Sequence, residues 1–268
     1  MIKKAKEKKF EVANTIDDLL KGSVSAVITM LPAGKHSKDV YLGKDGILNK
    51  VSKNCLLIDC STIDIKTSIE IGTKAKKLGI EMIDAPVSGG VMGAKNGTLT
   101  FLVGGSKEAF KQAKPLLQIM GKNIFHAGDL GSGNGAKICN NMSLGITMIA
   151  ASESLMLAKR LNIDIKKVHE IMKNASGNSW PISIYPPLPG LIEGTPSNNN
   201  YRPGFSAGMM NKDLKLANEC AKQVNASTPL GAMALNIYNK FCEEGNDDKD
   251  FSAISKVIGK DAWDYPID

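Results

Sequence analysis

Short apolar runs and longer amphipathic stretches alternate along the first half of the chain. Residues 25–32 (SAVITMLP) and 55–62 (CLLIDCST) have the length and branched-chain content of buried strands, and each ends in loop-forming residues. Residues 40–51 and 64–78 carry apolar positions at helical spacing, the second stretch with Asp64 as an N-cap and Gly79 as a stop. The alternation continues with strands at 80–86 and 97–104, a helix at 107–120 and a short strand at 123–126. This pattern predicts a mostly parallel, doubly wound sheet with its ligand crevice at the carboxyl ends of the strands. Those ends are Leu31 and Pro32, Ser61 and Thr62, and a glycine-rich loop after Pro86.

Past Gly128, helix follows helix: 133–161, 164–175, 206–224, 229–244 and a last one near 250–259. The glycine turn at this change divides an α/β domain, residues 1–129, from an all-α domain, residues 130–268. The interval 176–205 is rich in proline, glycine and asparagine, and its Trp180 and Tyr185 suit ordered packing near the crevice. The basic first ten residues contain Glu7 and lack serine, arginine and an apolar stretch, so they read as a surface helix and not as a leader.

Composition narrows the function classes. With 43% hydrophobic and 23% charged residues, and no apolar run of membrane-spanning length, the pattern is that of a globular chain without a membrane partner. The net charge of +7 comes from dispersed lysines without an arginine-rich tract, which attracts anions and does not suit nucleic-acid readout. Five scattered cysteines with no Cys-x-x-Cys pair fit a reducing compartment. Three histidines leave little material for a metal site or a serine triad, so no metal is expected, and His169 on its amphipathic helix reads as structural.

Two segments carry chemistry. The glycine turn 131–135 runs into a long apolar helix on which Lys137 and Asn141, four residues apart, share a face, with Gly145 leaving room for a neighbour one turn on. That helix is apolar around much of its circumference and needs partners on several sides, as an oligomer would supply. In the second segment, residues 84–94 (DAPVSGGVMGA), glycines after a strand free backbone N–H groups to face an anion, and Ser88 adds a hydroxyl donor.

Three motifs occur in order: residues 84–90 (DAPVSGG), Gly131-x-Gly-x-x-x-Lys137-x-x-x-Asn141, and residues 212–217 (KDLKLA). In these, and in residues 29–32, 57–62 and the 189–201 loop, the chain resembles the β-hydroxyacid dehydrogenase family over nearly its whole length. The resemblance implies an NAD-dependent enzyme, with NADP also open, on an incomplete Rossmann-type sheet followed by the all-α domain. The implied reaction is oxidation of 3-hydroxyisobutyrate to methylmalonate semialdehyde, a step of valine breakdown. A sister activity on tartronate semialdehyde or glyoxylate shares the motifs, and a chain keeping only the acid-binding loop would act as a binding protein.

By the same resemblance Lys137 is the general acid/base and Asn141 orients substrate or lysine. A lysine in that role gains from desolvation, which disfavours its charged form. Ser88, Gly89 and Gly90 are implied to hold the substrate carboxylate, with Phe205 and Asp213 near the substrate. Leu31, Pro32, His36, Thr62 and Lys212 are implied along the cofactor. A homodimer or homotetramer is implied, in the mitochondrial matrix or, alternatively, the cytoplasm.

The 268 residues contain no Gly-x-Gly-x-x-Gly turn, the element that seats a dinucleotide pyrophosphate on a helix N-terminus and selects the adenosine ribose. Residues 1–268 are accordingly expected to lack micromolar affinity for NAD. Isothermal titration calorimetry measures this directly, and tight binding would refute it.

Overall fold

A computed structural model describes residues 2–258, which form two compact units. The first holds the residues up to Gly89 together with Gly93–Lys137; the second holds Gly90–Met92 and the chain from Ile138 onward.

The first unit opens with helices α1 (Ile2–Glu7) and α2 (Ile16–Leu19), then β1 (Ala26–Thr29), α3 (Gly34–Leu42), β2 (Leu56–Asp59) and α4 (Ile65–Lys77). It continues with β3 (Met82–Asp84), β4 (Val87–Ser88), α5 (Gly90–Asn96), β5 (Leu99–Gly104), α6 (Lys107–Met120) and β6 (Gly121–Gly128). β1, β2 and β3 are parallel neighbours, with Ala26 opposite Leu56 and Leu57 opposite Met82. β5 pairs antiparallel with β3 and β4, and parallel with β6. The sheet is thus mixed where a mostly parallel one was expected. The link between β4 and β5 is the seven-residue α5, which turns the chain straight back, so the two strands run in opposite directions. Apolar side chains fill both faces of the sheet: Ile58, Ile83, Phe101, Val103 and Leu117 in one cluster, Tyr41, Leu57, Ile71 and Met82 in the other.

Helix starts follow the sequence signals. Asp64 accepts a hydrogen bond from the Thr67 N–H at 2.8 Å, and Ser106 accepts one from Ala109 at 3.0 Å, each satisfying an orphan donor of the first turn. The expected helix over 40–51 is instead α3, ending at Leu42, and a 3₁₀ turn over Ile47–Asn49. A side chain at Gly46 would meet the Tyr41 carbonyl 2.7 Å away, so the chain turns sharply there.

The division between units falls within α7 (Ser132–Arg160), after Lys137. The second unit continues with α8 (Ile165–Asn174), α9 (Trp180–Ser183), α10 (Ala207–Gln223), α11 (Pro229–Phe241) and α12 (Ser255–Ile258). Met148, Met210, Leu214, Ile237, Tyr238 and Phe251 form its main core. A side chain at Gly145 would come 3.1 Å from Leu214 and 3.2 Å from Met210, so the glycine lets α7 and α10 approach closely. His169 is buried with Nε2 2.7 Å from the Ile182 carbonyl, which ties α8 to α9 in the structural role its pattern predicts. The helix expected over 229–244 ends at Phe241, and Gly245 at φ +82° closes a π turn. The last expected helix, 250–259, is a 3₁₀ turn over Phe251–Ile254 followed by α12, and its residue 259 lies outside the described residues.

The start of α7 is fixed by one buried carboxylate in the first unit. Asp84, at the end of β3, accepts hydrogen bonds from the backbone N–H groups of Gly131 and Asn134, both at 2.7 Å. The backbones approach so closely that a side chain at Gly133 would collide with the carbonyls of Leu102 and Asp84, and one at Gly104 with Gly133 N and Asp84. Asn134, fully buried, extends the clasp: its Oδ1 accepts from Ile63 N at 3.0 Å and its Nδ2 donates to Ser68 Oγ at 2.9 Å.

Burial pushes the Asp84 carboxyl from 3.8 up to about 6, against the two backbone donors, which pull it down. A raised folded-state pKa means the folded form binds the proton more tightly. The stabilisation is full below about pH 4 and is lost as pH rises through about 6, a loss of about 3 kcal/mol by linkage. Urea unfolding at pH 4 and pH 7 should show this slope in the parent and its absence in Asp84→Asn. An unchanged slope in the variant would reassign it to another group.

Candidate active site

The sequence-predicted residues fall into two groups, one in each unit. In the first unit, the carboxyl ends of β1 and β2 are built on Asp59, which is 1% exposed. Its Oδ1 accepts from Thr29 Oγ1 at 2.9 Å and from Ser61 N at 3.0 Å, and Tyr41 lies behind Thr29 with its hydroxyl 2.7 Å away. Burial raises the Asp59 carboxyl above its ordinary range, and these donors oppose the rise. Ser61 in turn accepts from Leu31 N at 2.8 Å, which joins the two strand ends. His36 lies exposed on the first turn of α3.

Ser88 ends β4, opposite Thr100 of β5. The expected loop around it is shorter than the glycines suggested, because Gly89 is the N-cap of α5 at φ +124° and Gly90, at φ +60°, is its first residue. Both conformations strain any residue with a Cβ, and both leave the first N–H groups of the helix directed out of its end. Lys137 stands one turn beyond Asn134 on α7 and is only 7% exposed.

In the second unit, Asn141 is 1% exposed and its Nδ2 donates to Asp213 Oδ2 at 2.5 Å. Asp213, itself 2% exposed, also has the Lys212 ammonium 3.4 Å from Oδ1. Asn141, Asp213 and Lys212 are therefore one connected group spanning α7 and α10. The amide is oriented by this pairing: its nitrogen faces the carboxylate, and its oxygen accepts from Asn140 Nδ2 at 3.0 Å. Phe205 packs edge-on against Phe251 with ring centroids 5.5 Å apart.

Sequence reading missed Asp59, Asn134 and Asp250. Asp250 is fully buried and accepts from the backbone N–H groups of Gly204, Phe205 and Ser252. Nothing in its local pattern marked it, beyond its place as an N-cap before an apolar turn.

Beyond the buried Asp59, the ends of β1 and β2 carry the Ser61 and Thr62 hydroxyls, backbone amides and the apolar side chains of Leu31 and Pro32. This neutral set fits the nicotinamide and ribose end of NAD: Leu31, Pro32 and Thr62 would hold it. The pyrophosphate has no counterpart turn in the sequence.

Both halves of the chain match families of known proteins. The family described as the NAD binding domain of 6-phosphogluconate dehydrogenase matches residues 1–128. The one described as NAD-binding of NADP-dependent 3-hydroxyisobutyrate dehydrogenase matches residues 131–258. A 3-hydroxyisobutyrate dehydrogenase of Pseudomonas aeruginosa is 48% identical over 238 residues, covering 88% of this chain and 80% of its own. An NAD-dependent L-serine dehydrogenase of the same organism is 42% identical over 246 residues, covering 92% and 82%. The solved structure of a Mycobacterium tuberculosis 3-hydroxyisobutyrate dehydrogenase with L-serine superimposes with a TM-score of 0.83 at 38% identity, covering 88% of this chain and 80% of that one. Motifs, fold and relatives together make this chain a member of the β-hydroxyacid dehydrogenase family, a family of NAD-dependent 3-hydroxyacid dehydrogenases.

Proposed function

We propose that the chain oxidises 3-hydroxyisobutyrate to methylmalonate semialdehyde, with Lys137 as the general acid/base. The observation that carries the reading is the burial of Lys137 on a helix whose first turn is clasped by Asp84. A buried, rigidly based amine suits proton exchange with a substrate hydroxyl far better than it suits a solvated surface charge. Bound NAD supplies the hydride acceptor. Lys137 takes the hydroxyl proton during oxidation and returns it in the reverse direction. Asn141, its amide fixed by Asp213, offers an oxygen that orients the hydroxyl or the lysine. Ser88, Gly89 and Gly90 hold the carboxylate through the hydroxyl and the N–H groups that open α5.

A second substrate, L-serine, is favoured by the serine dehydrogenase relative and by the L-serine in the mycobacterial structure. Both compounds are 3-hydroxy acids, so the same groups would serve, and the difference lies in a methyl against an ammonium on the neighbouring carbon. Exposed Leu157, Leu161 and Ile163 at the end of α7 and just beyond it support an oligomer in the same proposal.

Two measurements test the reading. Lys137→Ala should lower kcat by at least about a thousandfold at millimolar NAD, a loss in the range of a general acid/base contribution. Unchanged turnover would remove the assigned role. In the parent chain, kcat/KM for 3-hydroxyisobutyrate should exceed that for L-serine and for glycerate, and the reverse order would transfer the assignment to the preferred acid.

A further inference from the structure

In the second unit the Gly204–Phe205 turn is held by a carboxylate that the proposed chemistry does not use. We infer that Asp250 is a positioning residue for the acid-binding end of the site, acting through this turn and through Tyr185. The inference rests on the reading of Ser88, Gly89 and Gly90 as the carboxylate-binding group.

Five donors converge on Asp250. Oδ2 accepts from Tyr185 Oη at 2.8 Å, Gly204 N at 2.9 Å and Phe205 N at 3.2 Å. Oδ1 accepts from Ser252 N at 3.0 Å and Ser252 Oγ at 2.6 Å. The backbone closes the same knot, with Asp250 N donating to Tyr201 O and Phe251 N to Phe205 O, each at 2.9 Å. Removing one oxygen from such a group strands several buried donors at once.

What this knot holds is the flank of Gly90. A side chain at Gly90 would lie 3.3 Å from the Gly204 carbonyl, and one at Gly204 would lie 2.7 Å from Tyr185 Oη. The sequence Tyr185, Gly204, Gly90 is therefore a close-packed line with Asp250 fixing its first two members. Burial, followed by the nearby Asp250 charge, raises the Tyr185 phenol far above its ordinary range, so it remains a donor. Its ring stacks on Trp180 at 5.0 Å between centroids, and Trp180 is 48% exposed, an aromatic face open to a ligand beside the turn.

The carboxylate of a 3-hydroxy acid keeps its charge through the reaction, so contacts at Gly90 bind ground and transition states alike. Loosening the turn should therefore raise KM for the acid and leave kcat nearly unchanged. A purely structural role would lower the melting temperature without that split.

The test uses the full chain carrying Trp263→Phe, which leaves Trp180 as the one tryptophan of the two in the sequence. Asp250→Asn is the direct variant, and Tyr185→Phe is a milder one if the first does not fold. Steady-state rates and a cofactor-free titration of 3-hydroxyisobutyrate followed by Trp180 fluorescence are measured for each. The folded variants should raise both KM for the acid and its Kd by about tenfold, with kcat within about threefold and KM for NAD unchanged. A lowered melting temperature with Kd and KM unchanged would overturn the inference, as would a parent fluorescence that ignores the acid. Absence of turnover in the parent would overturn the functional reading alone, because the fluorescence titration still decides the role of Asp250.

Discussion

The clasp between Asp84 and the first turn of α7 is the interaction on which the rest of the first unit depends. A helix start exposes N–H groups and a partial positive charge, and a buried carboxylate is costly unless such donors meet it. Each solves the other's problem, with two bonds of 2.7 Å. The solution demands contact between backbones, which is why Gly104 and Gly133 have no space for a side chain. It also fixes the phase of the helix, so Lys137, one turn along, has a determined direction. The residual strain is electrostatic, and it appears as a carboxyl held near 6 instead of 3.8.

The same device recurs in the second unit with other partners. Asp213 meets an amide and an ammonium, and Asp250 meets three backbone N–H groups and two hydroxyls. In a chain of net charge +7 the lysines dominate the sequence, but the buried polar architecture is organised by acids. Carboxylates suit this task because one group can accept several bonds from main-chain donors that are already fixed, whereas a lysine must first order its long side chain.

Much of the first unit was legible because local signals and tertiary packing agree. Asp64 and Ser106 cap the helices their positions announce, and the strands ending at Asp59 and Asp84 are the apolar runs of the sequence. The direction of β5 was not legible, since a strand's pattern records its faces and not its orientation. Helix α5 was hidden because two of its seven residues are glycines, which carry neither periodicity nor propensity. In the candidate site, motif order pointed to Lys137, Asn141 and the 84–90 segment, while Asn134 and Asp250 escaped. Their partners lie far away in sequence, 71 residues between Ile63 and Asn134 and 65 between Tyr185 and Asp250. No window of local sequence contains such a pair.

The turn that opens α7 reads Gly131-x-Gly-x-x-Ala136 after a strand, close to the pattern by which a helix start takes a phosphate. Its donors are already spent: Gly131 N and Asn134 N both point at Asp84. A phosphate there would have to displace a buried carboxylate and would meet its charge, so the turn serves the protein and not an anionic ligand. The other glycine-rich helix start, at Gly89 and Gly90, differs: its N-cap makes no side-chain bond to the first N–H groups. Two glycine-rich helix starts of similar appearance thus differ in one respect: an internal carboxylate occupies the first, and no side chain caps the second.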